Sequence, residues 1–255
     1  EHTYRTADDF LSGNVLQKLR KYSTLLKKEP QESNDYPFIK ANVAALEKVQ
    51  PAPLTATDVD VRLGSTWIPP EYISQFIHET LDTPFYMRSD IKATFVEYTG
   101  EWNISKKSMD RGINATKAFG TNRINAYQII ENTLNLKDVR IFDKKVDNDG
   151  NETRVLNKKE TVIAQQKQQK IKDAFANWIW KDFDRREQLL SLYNERFNCF
   201  RPREYNGKHL RLPGMNPAIK LKAHQQNAVA RILYGGNSLL AHVVGAGKTF
   251  EIVAA

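Results

Sequence analysis

Five consecutive residues near the end of the chain, Gly245-Ala246-Gly247-Lys248-Thr249, have the types and spacing of a loop that holds phosphate. Glycines let backbone N–H groups converge on an anion, and a lysine directly after them reaches the outer phosphates as a point charge. The Thr249 hydroxyl is of the kind that ligates Mg²⁺ beside a triphosphate. Together they suit a nucleoside triphosphate and its metal. The full pattern G-x-x-x-x-G-K-[ST] asks for glycine at its first position, and His242 stands there instead. A Gly-rich turn with a solvated lysine is the plainer reading of the same residues. His242 reads as a packed or hydrogen-bonded histidine near the nucleotide rather than a catalyst, because no second acid, base or metal ligand lies at readable spacing.

Such a loop must be held between a strand and a helix. Leu239–Val244, apolar except at His242 and bounded by Gly235-Gly236 and Gly245, predicts a buried strand of a parallel sheet. Phe250–Ala255 predicts the first turn and a half of a helix, whose positive dipole end adds to the phosphate site. Upstream, "LKAHQQNAVARILY" (Leu221–Tyr234) carries Ala228, Val229, Ile232 and Leu233 at helical spacing.

The order Leu221-x-x-His224-Gln225-x-x-Ala228-Val229, followed by Leu239-Leu240-Ala241-x-x-x-Gly245-x-Gly247-Lys248-Thr249, resembles the opening of superfamily 2 helicases and DNA translocases, especially their chromatin-remodeller-like branch. The resemblance implies a RecA-like lobe with ATP and Mg²⁺ as cofactors. Gly245 to Thr249 would bind the phosphates, Thr249 would meet Mg²⁺ through ATP, and Gln225 would read the adenine edge, since a carboxamide pairs with both a donor and an acceptor. It also implies what must follow Ala255: an acidic motif that holds the metal and orients water, and an arginine from a second lobe. No catalytic set is complete within residues 1–255, so the chain is expected to be a fragment of a longer polypeptide; Glu1 in place of a start methionine fits that expectation.

Charge adds a partner. The net charge is +8, and its distribution is uneven: residues 1–150 carry 20 Lys/Arg against 21 Asp/Glu, residues 151–211 carry 14 against 8, and residues 212–255 carry 4 against 1. A clustered positive field is the footprint of a polyanion. In "FANWIWKDFDRREQLLSLYNERFNCFRPREYNGKHLRLPG" and the helical turn before it, the apolar Ile171, Phe175, Trp178, Ile179, Leu189, Leu192, Tyr193 and Phe197 recur at three- and four-residue steps, which makes most of them core of one or two amphipathic helices. Lys181, Arg185, Arg186, Arg201 and Arg203 on the other face are the candidates for DNA contact, and a plainly solvated face is the equal alternative. One cysteine, Cys199, excludes an internal disulfide, no Cys/His cluster has zinc spacing, and no apolar run is long enough to span a membrane. A reducing cytoplasm suits these features.

The remaining sequence organises as mixed α+β, largely helical, with a small α+β module and the start of a RecA-like α/β P-loop lobe at the C-terminus. Residues 1–57 read as a helical segment opened by a capping-box-like Thr6-x-x-Asp9 and broken at Gly13 and at "KKEPQESNDYP"; Pro51 and Pro53 stop "ANVAALEKVQPAP". Residues 58–158 form the small module: a helix started by Pro69-Pro70, two strands turning at Thr99-Gly100, a helix capped by Thr121, and a hairpin turning through Asp147-Asn148-Asp149-Gly150. That acidic turn lacks the flanking acids of a calcium loop and reads as turn chemistry. Residues 159–211 are long basic amphipathic helices, and 212–255 the truncated lobe.

The stretches "TADDFLSGNV", "NVAALEKVQP", "DVDVRLGSTWIPPEYI", "YNERFN", "LRLPGMNP" and "LLAHVVGAGKT" are similar to a segment of very large helicase proteins of phages, plasmids and conjugative elements. In that family an adenine-specific DNA methyltransferase domain often precedes the segment and a two-lobed helicase follows. No methyltransferase motif stands in residues 1–255, so that partner domain is implied by resemblance alone. The expected function is a segment of an ATP-dependent DNA helicase or translocase, coupled in a larger protein to adenine-specific DNA methylation or to restriction and anti-restriction. The alternative is a DNA-binding or coupling module between methyltransferase and motor without activity of its own, and beyond it a purely structural connector.

Overall fold

A computed structural model describes residues 5–146, 152–216 and 218–255. The chain divides into two compact units, one built from Glu1–Ala52 and Phe197–Ala255, the other from Pro53–Arg196. The fold is mixed α+β and largely helical.

The first unit begins with α1 (Ala7–Phe10), a two-residue strand β1 (Gly13–Asn14), α2 (Val15–Lys28) and α3 (Tyr36–Lys48). The Asn14 side chain accepts the Gln17 N–H and so caps α2, while Pro37 occupies the first turn of α3, where a missing N–H costs nothing. Val15, Val43 and Leu46 are buried. The Gln50 carboxamide donates to the carbonyls of Val15 (3.2 Å) and Leu46 (2.8 Å), joining the two helices. The predicted capping box is corrected: Thr6 takes the N-cap position, but its hydroxyl makes no capping bond and turns to the Asp8 carboxylate. With only four residues, α1 is held from its other end, where the Lys18 ammonium donates to the carbonyls of Asp9, Phe10 and Ser12 at 3.2, 2.9 and 2.7 Å.

The second unit opens on α4 (Pro70–Thr80), started by its prolines as the sequence predicts. Strands β2 (Ala93–Val96) and β3 (Glu101–Ile104) pair antiparallel with Phe95 opposite Trp102, and the Gly100 N–H closes the turn onto Val96. Helix α5 (Ala126–Leu134) starts later than expected. Asn125, not Thr121, supplies its cap by accepting the Gln128 N–H, and Thr121 closes the preceding turn with Ile124. The hairpin β4 (Phe142–Val146) and β5 (Glu152–Leu156) is in place, and the expected turn through Asp147–Gly150 lies outside the described residues. Two helices follow, α6 (Lys158–Ile179) and α7 (Phe183–Phe197).

One core joins these pieces. Ile73, Phe76 and Ile77 of α4, Ile129, Ile130 and Leu134 of α5, and Ala164, Ile171, Phe175 and Ile179 of α6 are buried together. Phe76 meets Phe175 and Trp178 edge-on at 5.1 and 5.4 Å between centroids, a preferred aromatic geometry. Of the predicted core positions, Ile171, Phe175, Ile179 and Leu189 are buried, Trp178, Leu192 and Tyr193 are half-buried, and Phe197, the last residue of α7, is exposed. A polar cluster crosses this core. The Tyr127 hydroxyl donates to Asp110 (2.7 Å) and lies 2.8 Å from the Thr83 hydroxyl, and burial followed by the Asp110 bond pushes the phenol well above its ordinary range. The unit also fastens its own ends, because the Asn194 carboxamide accepts the Leu54 N–H (2.8 Å) and donates to the Leu54 carbonyl (3.0 Å), as a neighbouring strand would.

His78 of α4 donates from Nε2 to the Ile91 carbonyl at 2.7 Å. Burial, with smaller contributions from the nearby charges of Arg88 and Lys92, holds its ring below the ordinary histidine value of 6.5. The folded unit therefore binds this proton less readily than the unfolded chain, so the stability it contributes is full above 6.5 and is lost as pH falls below that value. All four tryptophans, Trp67, Trp102, Trp178 and Trp180, lie in this unit and report its unfolding. The urea midpoint followed by their fluorescence is expected to drop between about pH 7 and about pH 5, and less so in His78→Gln. An equal drop in both proteins would exclude His78 as its source.

The chain returns to the first unit through β6 (Phe200–Arg201), which pairs antiparallel with β1, and then forms α8 (Ala223–Gly235) and α9 (Lys248–Ala254). The strand predicted over Leu239–Val244 is not formed. The segment is irregular, and Leu239, Val243 and Val244 are 83, 78 and 99% exposed. A parallel strand exists only through a ladder with neighbours. The three sheets of the described residues are antiparallel pairs that do not include this segment, so residues 212–255 show no RecA-like sheet. Among the described residues no helix is long and apolar enough to cross a membrane.

Candidate functional site

The site is assembled by the start of α8, the loop 242–247 and the start of α9. Gln225, on the first turn of α8, is buried. Its side-chain oxygen accepts the Lys222 N–H at 2.9 Å, and its amide nitrogen donates to the carbonyls of Ala246 (3.1 Å) and Gly247 (3.4 Å). His224 adds a bond from Nε2 to the Ala246 carbonyl at 3.1 Å; a carbonyl only accepts, so that nitrogen carries the proton. These bonds draw the Ala246 and Gly247 carbonyls back onto α8.

Gly245 and Gly247 both hold φ near 85°. The left-handed conformation favours glycine at 247, and a Cβ there would stand 2.3 Å from the Gln225 amide nitrogen and push that side chain off its carbonyl partners. The Gly247 carbonyl then accepts the Phe250 N–H (3.0 Å), which starts α9. Lys248 Nζ donates to the carbonyls of His242 (2.7 Å) and Val243 (3.2 Å), and Thr249 is exposed. His242 is hydrogen-bonded as the sequence predicts. Its partner, which sequence reasoning missed, is Glu251: His242 Nδ1 lies 2.9 and 3.1 Å from the two oxygens of this fully buried carboxylate. The available signal was spacing, since Glu251 stands one helical turn after Lys248.

Left-handed glycines, a lysine whose ammonium rests on loop carbonyls and an exposed hydroxyl follow one another along residues 245–249. Among the described residues no group of three or more His, Cys, Asp or Glu could hold a metal ion. Gln225 does not present an open carboxamide. Pairing with an adenine edge requires it to exchange the Lys222 and Ala246 bonds for the base.

The five DNA-contact candidates divide between the units. In the second unit Lys181 is exposed, and Arg186 lies over the Phe183 ring at 5.4 Å. Arg185 is a correction, for it is buried: its guanidinium sits 3.5 Å over the Trp178 ring and donates to the carbonyls of Ile179 (3.1 Å) and Trp178 (2.7 Å). Asp182 accepts the Arg185 N–H at 2.8 Å and turns α7 so that this side chain caps the end of α6. In the first unit Arg201 lies 3.6 Å from Glu204. Arg203 binds Asp8 at 2.8 Å, lies 3.8 Å from Asp9 and covers the Tyr205 ring at 4.9 Å. The Thr6 bond first, and then Arg203, hold the Asp8 carboxyl below its usual range. Arg203 thus serves an internal pair rather than an open basic face.

No solved structure matches the chain. A stretch of 84 residues is 33% identical to Defense against restriction protein B of Escherichia phage P1, a match that takes in 33% of this chain and 4% of that much longer protein. The model of the family described as a domain of unknown function, DUF8437, matches residues 62–199 and ends before the phosphate-type loop. That match takes in more than half of the residues, and the chain belongs to the DUF8437 family.

Proposed function

We propose that this chain is a segment of an ATP-dependent DNA helicase or translocase that works, in a larger protein, in defence against restriction or in coupling to adenine-specific DNA methylation. The observation that carries the reading is the segment 245–249: two left-handed glycines lead directly into α9, whose first two residues are Lys248 and an exposed Thr249, with the loop carbonyls tied back to α8. Backbone N–H groups of residues 245–249 and the Lys248 ammonium would hold the phosphates of ATP, and Thr249 would meet Mg²⁺. Bound ATP supplies a transferable phosphoryl group. These residues bind and orient it, and the acid and the arginine of hydrolysis belong to the further helicase lobes that the sequence resemblance implies. The name of the phage relative, a protein of defence against restriction, supports the link to restriction, and the methyltransferase partner rests on sequence resemblance.

The 255-residue chain is expected to bind Mg-ATP no tighter than about 100 μM, because a site lacking its second lobe loses several kcal/mol and about 1.4 kcal/mol is tenfold in affinity. In Lys248→Ala this binding should disappear from calorimetry, and ATP turnover by the parent protein should be lost with DNA binding intact. Unchanged affinity and turnover in the variant would sink the reading.

A second reading is favoured by one observation: the family match stops at residue 199, so the region shared across the family excludes the nucleotide loop. On that reading residues 1–211 form a DNA-binding or coupling module, which binds duplex DNA without ATP and loses affinity linearly on a log–log plot against salt.

A further inference from the structure

The Glu251 carboxylate is fully buried, and a charge taken out of water must be paired and hydrogen-bonded. Its partner is the His242 ring, with Nδ1 at 2.9 and 3.1 Å from the two oxygens; a carboxylate only accepts, so Nδ1 carries the proton. Residue 242 is engaged a second time through its main chain, where its carbonyl accepts from Lys248 Nζ at 2.7 Å. Glu251 and Lys248 are one turn apart on α9, so the helix grips residue 242 by side chain and main chain from one side. The His224 ring packs edge-on against the His242 ring with centroids 5.6 Å apart.

The position matters because of what surrounds it. Leu239, Val243 and Val244 are exposed, and among the described residues no strand ladder holds this entry to the loop. Position 242 is also where the phosphate-loop pattern has glycine, which could make no such side-chain bond. The pair supplies the anchoring that a sheet strand would otherwise give.

We propose that Glu251 is a positioning residue of the nucleotide site: its carboxylate clamps His242 and thereby fixes the carbonyl on which Lys248 rests, which sets where the ammonium meets the outer phosphates of a nucleoside triphosphate. This inference rests on reading residues 245–249 as a phosphate loop. Glu251→Gln keeps a side-chain oxygen for the Nδ1 proton, whereas Glu251→Leu has similar volume and no acceptor.

Two measurements on the 255-residue chain separate the clamp from the reading beneath it. Ring ¹⁵N shifts without nucleotide should show one His242 tautomer, protonated at Nδ1, in the wild type and in Glu251→Gln, and a mixture in Glu251→Leu. A single unchanged tautomer in Glu251→Leu overturns the clamp whether or not nucleotide binds. Titration with Mg-ATP should show Glu251→Leu at least about tenfold weaker than wild type and Glu251→Gln within about threefold. His242→Ala should lose as much as Glu251→Leu, and the double variant no more than either, because the two act as one unit. If the wild type binds Mg-ATP and Glu251→Leu or His242→Ala binds equally well, or if the two losses add, the clamp is wrong and the phosphate-loop reading stands. If the wild type does not bind, that reading fails and the tautomer decides the clamp. Should Glu251→Leu be unfolded by circular dichroism, Glu251→Ala takes its place in both measurements, and His242→Ala carries the affinity comparison.

Discussion

Alanine at position 207 is expected to destabilise the first unit by about 3 kcal/mol. The Gly207 N–H donates to the Asn227 side chain at 3.0 Å, which lays the backbone of residues 205–210 directly against α8. A Cβ there would stand 2.0 Å from the Gln226 carbonyl oxygen and 2.3 Å from its carbon. Those atoms belong to helix backbone, which no side-chain rotation can move aside, so either the segment lifts from α8 or the helix bends. Both outcomes disturb the first turn of α8, where Gln225 ties down the loop carbonyls. Amide exchange along residues 226–233 should quicken by about two orders of magnitude, following the loss of stability. Unaltered exchange there would show that the contact yields cheaply.

Arg185→Ala should lower the stability of the second unit by about 3 kcal/mol, from two charge-assisted bonds to helix-end carbonyls and a desolvated cation–π contact with Trp178. The urea midpoint read by tryptophan fluorescence measures it. The same variant should leave any duplex-DNA affinity, and its dependence on salt, as in the wild type. Lys181→Ala, on an exposed side chain, would lower the salt slope by about one if that residue contacts phosphate. A change of DNA slope without loss of stability in Arg185→Ala would return this arginine to the DNA candidates.

Arg185 also shows where reading the sequence stops. It lies four residues before the buried Leu189 and therefore on the inward face of α7, a spacing open to inspection. An arginine on an apolar face is ordinarily assigned to solvent, and only the carbonyls at the end of α6 explain why it is not. The Pro69-Pro70 start of α4 and the Thr99-Gly100 turn are legible because those residues restrict their own backbone. The apolar run Leu239–Val244 is of another kind. Its composition speaks of burial, and burial is conferred by neighbouring strands that this segment does not have among the described residues. At the site, glycine and lysine announced the loop, while Glu251 depended on which way α9 turns. Gln225 was legible in position but not in engagement, because its bonds join segments about twenty residues apart.

The Leu54–Asn194 bonds bear on how the chain assembles. Strands β1 and β6 are separated in the sequence by residues 15–199, and joining them requires closure of a loop that contains the whole second unit. Loop entropy grows with the length of flexible chain, not with the number of residues already folded. Once residues 53–196 have collapsed, the carboxamide of Asn194 brings the two exits of that unit to adjacent points, and Asn198 repeats the arrangement on the other side of the crossing by donating to the Ala52 carbonyl at 2.8 Å. The halves of the first unit then meet across a short tether. This is the topology of an inserted domain, in which the guest sequence, complete at residue 196, need not wait for its host, while the host waits for β6 and the residues that follow it.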